Sequence, residues 1–129
     1  MHEPLQPDEF ELYDLCVTVE GDPNTFVCRH RPGEQFLVEG EDLVFPAGGR
    51  FSLYALAALL PLLPAKERPT SSSDWMTTDA AIACPDPNCG ARFRIERIGR
   101  RRLRHGDCTV VPLDVEPTSE PSSENTQAS

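Results

Sequence analysis

The sequence predicts an α+β protein, in which a small, mostly antiparallel sheet has one main apolar helix packed on it. Two observations predict this class. Several short stretches alternate apolar and polar residues with the period of two that is typical of strands, and one apolar stretch, "FSLYALAALLPLL", repeats with helical spacing. A helix and a sheet that are each apolar on one side bury those sides against each other, and 129 residues suffice for one modest core.

Three strands are predicted in the N-terminal half. In "FELYDLCVTVE", Leu15, Val17 and Val19 lie on one face, and "GDPN" ends the strand. "EQFLVEGEDLVF" predicts two more strands, 35–38 and 42–45, joined by a short turn. "PAGGR" then predicts a flexible hinge that leads into the apolar stretch.

The predicted helix begins after Ser52, which can cap it. It ends near Leu60, because Pro61 would remove a helical hydrogen bond and clash one turn back. Apolar residues recur along it at helical spacing: Leu53, Leu56, Ala57, Leu60 and Leu63.

The C-terminal half predicts a long polar loop, "PAKERPTSSSDW", after which Trp75 re-enters the core. Three further strands are predicted in "AAIAC", "ARFRIERI" and "CTVVPL", and in the second of them Phe93 and Ile95 share one face. Gly106-Asp107 predicts a hairpin turn before the last strand.

Composition divides the chain into three parts. Residues 1–9, with two prolines and three acids, predict a loose N-terminus, and residues 10–112 predict a single α+β domain. Residues 113–129, "LDVEPTSEPSSENTQAS", predict a disordered acidic Ser/Pro tail, because almost nothing apolar is present to offset the entropy of ordering.

The charge of the chain argues against general binding to nucleic acids or anionic membranes. The net charge is −9, and such a balance repels phosphate-rich surfaces. The only hint of a nucleic-acid role is the arginine run in 92–104. The simpler interpretation is a solvated strand face that balances the acidic half, since no aromatic stacking platform accompanies the run.

The sequence also predicts a cytoplasmic protein with no membrane association. Its opening, "MHEPLQPDEFELYD", is acidic and lacks the apolar region of a signal peptide. The longest apolar run, 53–63, is too short to cross a bilayer. In a reducing compartment, five cysteines favour free thiols or metal ligands over a disulfide framework.

Cys28, His30, Cys84 and Cys89 form the candidate metal site. Zinc prefers thiolate and imidazole ligands, commonly supplied as two pairs on separate turns. Cys28-x-His30 and Cys84-x4-Cys89 supply two such pairs, and zinc is the cofactor they would hold. The alternative is that "CPDPNC" is a rigid strand-to-strand turn, in which Cys84 is buried as a small hydrophobe.

Cys28 and His30 are the candidate catalytic residues if the protein is an enzyme. A cysteine is nucleophilic as the thiolate, and the neighbouring Arg29, His30 and Arg31 favour a lowered pKa for Cys28. His30 could act as its base if the loop folds back. The competing interpretation is that these side chains only line a hairpin.

A ligand-binding pocket is the third candidate site. Gly48 and Gly49 precede a helix N-terminus, where exposed backbone amides favour an anion such as a carboxylate or phosphate. Arg50 and Tyr54 lie beside them and complete the predicted set at this end of the helix. A glycine pair before a helix is also commonly just a flexible turn.

Asp74 and Trp75 could close this pocket from the side, with the Cys28 and Cys84 loops converging on the same end of the sheet. Asp74 could equally cap a helix or a turn, and Trp75 could anchor the core.

Four segments carry a resemblance to a known family: "CRHRPGEQFLVEG", "FSLYALAALLPLLPAK", "DWMTTDA" and "ACPDP". In this order, over roughly 11–98, they are similar to a numbered family of small prokaryotic proteins that has no assigned activity. That family shows a Cys-Pro-x-Gly-His segment followed by Gly-x-x-Phe, and often a cysteine where its helix begins. Here the first interval is shortened to Cys28-Arg29-His30, and Ser52 replaces the helix cysteine. The resemblance implies the fold more than the function.

Two functions remain open. The first is a small cytoplasmic binding or accessory protein, whose Cys/His loops hold a metal or a small anionic metabolite and whose acidic face meets a partner protein. The second is a compact enzyme of isomerase, cyclase or lyase type, in which Cys28 or Cys84 acts with His30. The sequence has no Ser-His-Asp order, paired-carboxylate signature, P-loop or Rossmann fingerprint, which favours the first. The oligomeric state is left open.

Overall fold

A computed structural model describes residues 3–114 of the chain. They form a sheet with the strand order β3-β2-β1-β5-β4, in which the neighbours β1–β2, β2–β3 and β4–β5 pair antiparallel. The strands are β1 (Glu9–Glu20), β2 (Gln35–Glu39), β3 (Asp42–Val44), β4 (Ala81–Ala83) and β5 (Arg92–Arg104). The helices are α1 (Leu53–Leu59), α2 (Leu63–Glu67), α3 (Trp75–Thr78) and α4 (His105–Cys108), with a 3-10 turn at Pro23–Thr25.

The predicted α+β class with an antiparallel sheet is confirmed, but the helical part consists of short helices. Contacts divide the described residues into two compact units, one made of residues 11–103 and the other of 3–10 with 104–114. In the second, the guanidinium of Arg104 donates to the Asp8 carboxylate at 2.7 Å, and the backbone N–H of His105 donates to the Asp8 carbonyl at 2.8 Å. Apart from residues 113 and 114, the predicted tail lies outside the described residues.

The core of the larger unit is centred on β1, β2 and β5. Leu15, Val17 and Val19 are buried on one face of β1, as the alternation predicts. In the pairing with β2, Leu15 lies opposite Val38 and Val17 opposite Phe36. Removing these apolar side chains from water is the main stabilising contribution of the sheet. The buried cluster consists of Leu15, Val17, Val19, Phe36, Val38, Ala55, Leu59, Leu63, Cys89, Ala91, Phe93 and Ile95.

The prediction of a last strand is wrong. Instead of forming a strand in "CTVVPL", the chain leaves β5 into the single helical turn His105–Cys108, where the N–H of Thr109 donates to the carbonyl of His105 at 3.1 Å. The predicted hairpin turn at Gly106-Asp107 is therefore also wrong. The His105 ring lies 2.7 Å from the carbonyl of Val111, so local hydrogen bonds replace strand pairing in this segment.

Helix α1 begins where the sequence predicts, because the Ser52 hydroxyl accepts a hydrogen bond from the N–H of Ala55 at 3.2 Å. It ends at Leu59, and a turn that contains Pro61 separates it from α2.

The predicted apolar face of this helix is only partly correct. Leu53 is 78% exposed and Leu60 is 46% exposed, whereas Ala55, Leu59 and Leu63 are buried. The break after α1 gives the helix only two turns. The buried side is then set by the hydrophobic cluster to which Ala55, Leu59 and Leu63 belong rather than by the longest apolar run.

Lys66 is buried, and its ammonium group connects two short helices. It donates hydrogen bonds to the carbonyls of Met76 and Asp79, the latter at 2.7 Å. Burial and the nearby Arg97 guanidinium lower the pKa of this ammonium group. Lys66 is therefore a structural residue that satisfies backbone carbonyls around α3.

Arg97 connects β5 to the region of Lys66 through hydrogen bonds. Its guanidinium donates to the backbone carbonyls of Lys66 and Arg68, each at 2.9 Å, and to the Thr70 hydroxyl at 3.1 Å. The same group stacks 4.4 Å from the ring centre of Tyr13. The guanidinium of Arg97, one residue of the arginine run, is therefore used for contacts within the fold.

Glu67 should make the stability of the protein depend on pH. Burial raises the pKa of this carboxyl group, and in the described residues its buried Oε2 atom accepts no hydrogen bond. Because the folded-state pKa is raised, the contribution of Glu67 to stability is greatest below the ordinary pKa of glutamate and is lost as the pH rises through the folded-state value.

We therefore expect the free-energy difference between Glu67→Gln and the wild type to favour the variant increasingly as the pH rises from about 4 to about 8. Urea unfolding of both proteins across this range measures the difference. Glu96→Gln, at an exposed position of β5, is the control, and its difference in unfolding free energy from the wild type should not change with pH. A difference for Glu67→Gln that also stays constant over this pH range would contradict the prediction.

Candidate functional site

A cleft of about 820 Å³ lies between two segments of the larger unit, residues 27–31 and residues 50–54, with Glu34 at its side. The first segment connects the 3-10 turn to β2, and the second leads into α1. This cleft is lined by four residues of the predicted candidate sites: Cys28, His30, Arg50 and Tyr54.

His30 joins the two segments. It is 6% exposed, and its Nδ1 atom lies 2.8 Å from the Glu34 carboxylate. Its Nε2 atom accepts a hydrogen bond from the backbone N–H of Ser52 at 3.2 Å. A backbone N–H can only donate, so Nε2 is the acceptor, and the Nδ1 atom donates the ring proton to Glu34. Burial alone would raise the pKa of Glu34, but the hydrogen bonds from His30 and the Arg31 backbone outweigh it and lower the pKa.

Aromatic packing holds the same histidine in place. The ring centre of His30 lies 4.5 Å from that of Phe51 and 5.6 Å from that of Phe93. Phe51 also packs on Phe36 at 4.9 Å. The floor of the cleft is therefore continuous with the core of the sheet, which makes it rigid.

Three cysteine sulfurs converge beside the cleft. The Sγ atoms of Cys28 and Cys89 are 3.5 Å apart, and the Cys84 thiol interacts with both of them. "CPDPNC" forms the tight turn that the sequence predicts, closed by the N–H of Cys89 donating to the Asp86 carbonyl at 2.9 Å. The turn brings Cys89 to the segment that carries Cys28, 61 residues away in the chain.

Gly90 allows this approach. A Cβ atom at residue 90 would lie 1.9 Å from the Thr25 hydroxyl oxygen, and the N–H of Gly90 donates to the Thr25 carbonyl at 2.9 Å. Only a residue without a side chain lets the two loops touch here. The contact fixes Cys89 so that its sulfur accepts the N–H of Val27 at 3.3 Å.

The three thiols differ in acidity. Burial would raise the pKa of Cys89, but backbone N–H groups of Cys28, Ala91 and Val27 point at its sulfur and lower the pKa to about 6. Burial raises the pKa values of Cys28 and Cys84. The expectation that Cys28 has the lowered pKa is wrong, because burial and the neighbouring Cys89 raise the pKa of Cys28, whereas backbone N–H groups converge on the sulfur of Cys89.

The four predicted metal ligands are not brought together. Cys28, Cys84 and Cys89 lie side by side, but both ring nitrogens of His30 already have partners. Within residues 3–114, no group of three or more histidine, cysteine, aspartate or glutamate side chains is arranged to hold a metal ion. The same hydrogen bonds leave His30 no free nitrogen to act as a base for Cys28.

The remaining predicted pocket residues lie outside the lining of the cleft. Gly48, with a φ of 71°, and Gly49, whose N–H donates to the Pro46 carbonyl at 2.7 Å, form a tight turn. Asp74 caps α3 by accepting the N–H of Met76 at 2.9 Å. Trp75 is 61% exposed and does not anchor the core, so that prediction is wrong.

The charged side chains of the cleft are mainly basic. Arg29, Arg31 and Arg50 line it, against the single carboxylate of Glu34. The sequence-based prediction includes Arg29 and Arg31 only as neighbours of the Cys28 thiol. Their alternation with Cys28 and His30 in "CRHR" is the signal that could have assigned them to a binding surface.

Two arginines of β5 pair with acidic residues of β1 instead. Arg94 donates to Glu20 at 2.6 Å, and Arg101 donates to Asp14 at 2.9 Å. These ion pairs correspond to the interpretation of the run as a face that balances the acidic half.

Comparison of the chain with protein-family models, curated proteins and solved structures finds no match. The family resemblance therefore stays a prediction. No helix in the described part of the chain has the length and apolar character needed to span a membrane.

Proposed function

We propose that the protein is a small cytoplasmic binding or accessory protein that holds a small anionic metabolite in the cleft between residues 27–31 and 50–54. The observation that carries the proposal is the position of Arg29, Arg31 and Arg50 around one cleft with one opposing carboxylate. Guanidinium groups bind carboxylates and phosphates through charge-assisted hydrogen bonds in fixed geometry.

The size and rigidity of the cleft support this assignment. A volume of about 820 Å³ lies within the range of small-molecule sites. The hydrogen bonds of His30 to Glu34 and to the backbone of Ser52 hold the two arginine-bearing segments together before any ligand binds. A preformed site spends less of its binding energy on ordering.

The lining also favours a ligand with an apolar part. Val27, Leu53 and Tyr54 line the cleft and are 64%, 78% and 77% exposed. Apolar side chains left open beside cations suit a molecule that carries both an anionic group and an apolar body. Phenyl phosphate has these two properties and serves as the probe.

Calorimetric titration with phenyl phosphate tests the proposal. We expect saturable binding that weakens by about tenfold or more in Arg29→Gln and in Arg50→Gln, because each variant loses a charge-assisted contact. Arg92→Gln, an exposed arginine on β5, is the matched control and should bind as the wild type does. An equal loss in all three variants, or no binding by the wild type, would overturn the proposal.

A further inference from the structure

We propose that Cys28 and Cys89 are a redox-active thiol pair that undergoes thiol–disulfide exchange with small anionic disulfides entering the cleft. The choice of an anionic disulfide rests on the proposed anion-binding function. The thiol pair itself rests on separate observations.

Distance and position single out this pair among the five cysteines. The two sulfurs are 3.5 Å apart, so a small shift brings them to bonding distance. Cys28 lines the cleft, whereas Cys89 is 6% exposed and lies behind it. An incoming disulfide therefore meets Cys28 first, and Cys89 is the thiol placed to complete the exchange.

The surroundings of Cys89 stabilise a thiolate. The backbone N–H of Val27 donates to its sulfur at 3.3 Å, and the N–H groups of Cys28 and Ala91 also point at it. These N–H groups lower its pKa to about 6, so the group is largely ionised near neutral pH. Beside it, the Cys28 thiol with its raised pKa stays protonated and can pass its proton to the Cys89 thiolate.

The exchange takes place in two steps, in which atoms, protons and electrons are all accounted for. The Cys28 sulfur attacks one sulfur of the small disulfide, which forms a mixed disulfide and releases one thiolate. Cys89, after returning its proton to that thiolate through water, attacks the Cys28 sulfur. A Cys28–Cys89 bond forms, and the second thiolate leaves and is protonated by water. Two electrons pass from the protein to the small disulfide, which is reduced to two thiols.

Cys84 is a third thiol next to the pair and gives the experiment a sharp control. Its pKa is raised by burial and by the neighbouring Cys89, and its N–H is tied to the carbonyl of Ala91 at 3.1 Å. Unlike Cys28, Cys84 is not among the residues that line the cleft, so a disulfide that enters the cleft does not meet its sulfur. Cys84→Ser should therefore leave the exchange intact.

The test is incubation of the full-length protein with oxidised glutathione, which is anionic, and with bis(2-hydroxyethyl) disulfide, which is neutral. Remaining thiols are counted after acid quenching, and linked peptides are identified by mass spectrometry. We expect the loss of two of the five thiols and a peptide that joins Cys28 to Cys89. Cys84→Ser and Cys108→Ser should give the same linkage, and Cys28→Ser and Cys89→Ser should not.

The arginines that line the cleft should make the protein react faster with an anionic disulfide than with a neutral one. Arg29→Gln combined with Arg50→Gln should slow oxidation by oxidised glutathione about tenfold and leave the rate with the neutral disulfide unchanged. Equal rates for the two disulfides in the wild type would overturn the anionic class. The absence of a Cys28–Cys89 linkage, or a linkage to Cys84 in its place, would overturn the thiol pair even if phenyl phosphate binds. Failure to bind phenyl phosphate with the linkage still formed would refute only the anion-binding function.

Discussion

Replacing Phe93 by alanine should lower the free energy of unfolding by about 3–5 kcal/mol, the range for removing a large aromatic side chain from a packed core. Phe93 is 1% exposed and lies on β5 opposite Ile82 of β4. Its ring packs on Phe51 at 5.6 Å and on His30 at the same distance. The variant leaves a cavity under the cleft floor, and urea unfolding of the wild type and the variant measures the cost.

Phe45→Ala is the matched control for this substitution. Phe45 also packs on the aromatic cluster, 4.9 Å from Phe36, but it is 37% exposed. Water can fill the space its ring leaves, so its loss should cost less than half as much. Similar costs for Phe45→Ala and Phe93→Ala would mean that Phe93 is not the centre of the core.

Lys66→Met should destabilise the protein by about 3 kcal/mol, because charge-assisted hydrogen bonds contribute about 1.5–3 kcal/mol each. Methionine preserves the length of the buried stem but leaves the carbonyls of Met76 and Asp79 without the ammonium group. The cost is the loss of the hydrogen bonds that the buried ammonium group donates to these two carbonyls. Thermal and urea unfolding both report it.

Arg68→Met provides the comparison for Lys66→Met. The Arg68 side chain is 57% exposed and donates to the Pro64 carbonyl at 3.2 Å. A partner at an exposed position is replaced by water, so this variant should change the stability by no more than about 0.5 kcal/mol. A cost as large as that of Lys66→Met would show that burial of the ammonium group is not decisive.

The strands of this fold were predictable because their signal is local. The alternation of Leu15, Val17 and Val19 specifies which side is buried, and the structure buries that side. The helix face was less predictable, since α1 has only seven residues and every side of "LYALAAL" offers apolar side chains. Its buried side was selected by the hydrophobic cluster that Ala55 and Leu59 join.

The residues of the candidate cleft were easier to predict from the sequence than the acidity and hydrogen bonding of those residues. Cys28, His30, Arg50 and Tyr54 were all candidates, and one cleft contains them. The acidity of the thiols could not be derived from neighbours in sequence, because it depends on the N–H of Val27 reaching the sulfur of Cys89, 62 residues later. The partners that occupy His30 also come from tertiary contacts, in particular the backbone of Ser52.

Lys66 is the single lysine among the 129 residues, and the residue is 3% exposed. Reagents that acylate primary amines require a neutral, accessible nitrogen. The folded protein should therefore resist such labelling on its side chains, and modification of Lys66 should report each transient opening of the α2–α3 region. Labelling kinetics at this one position would measure local opening without any engineered probe.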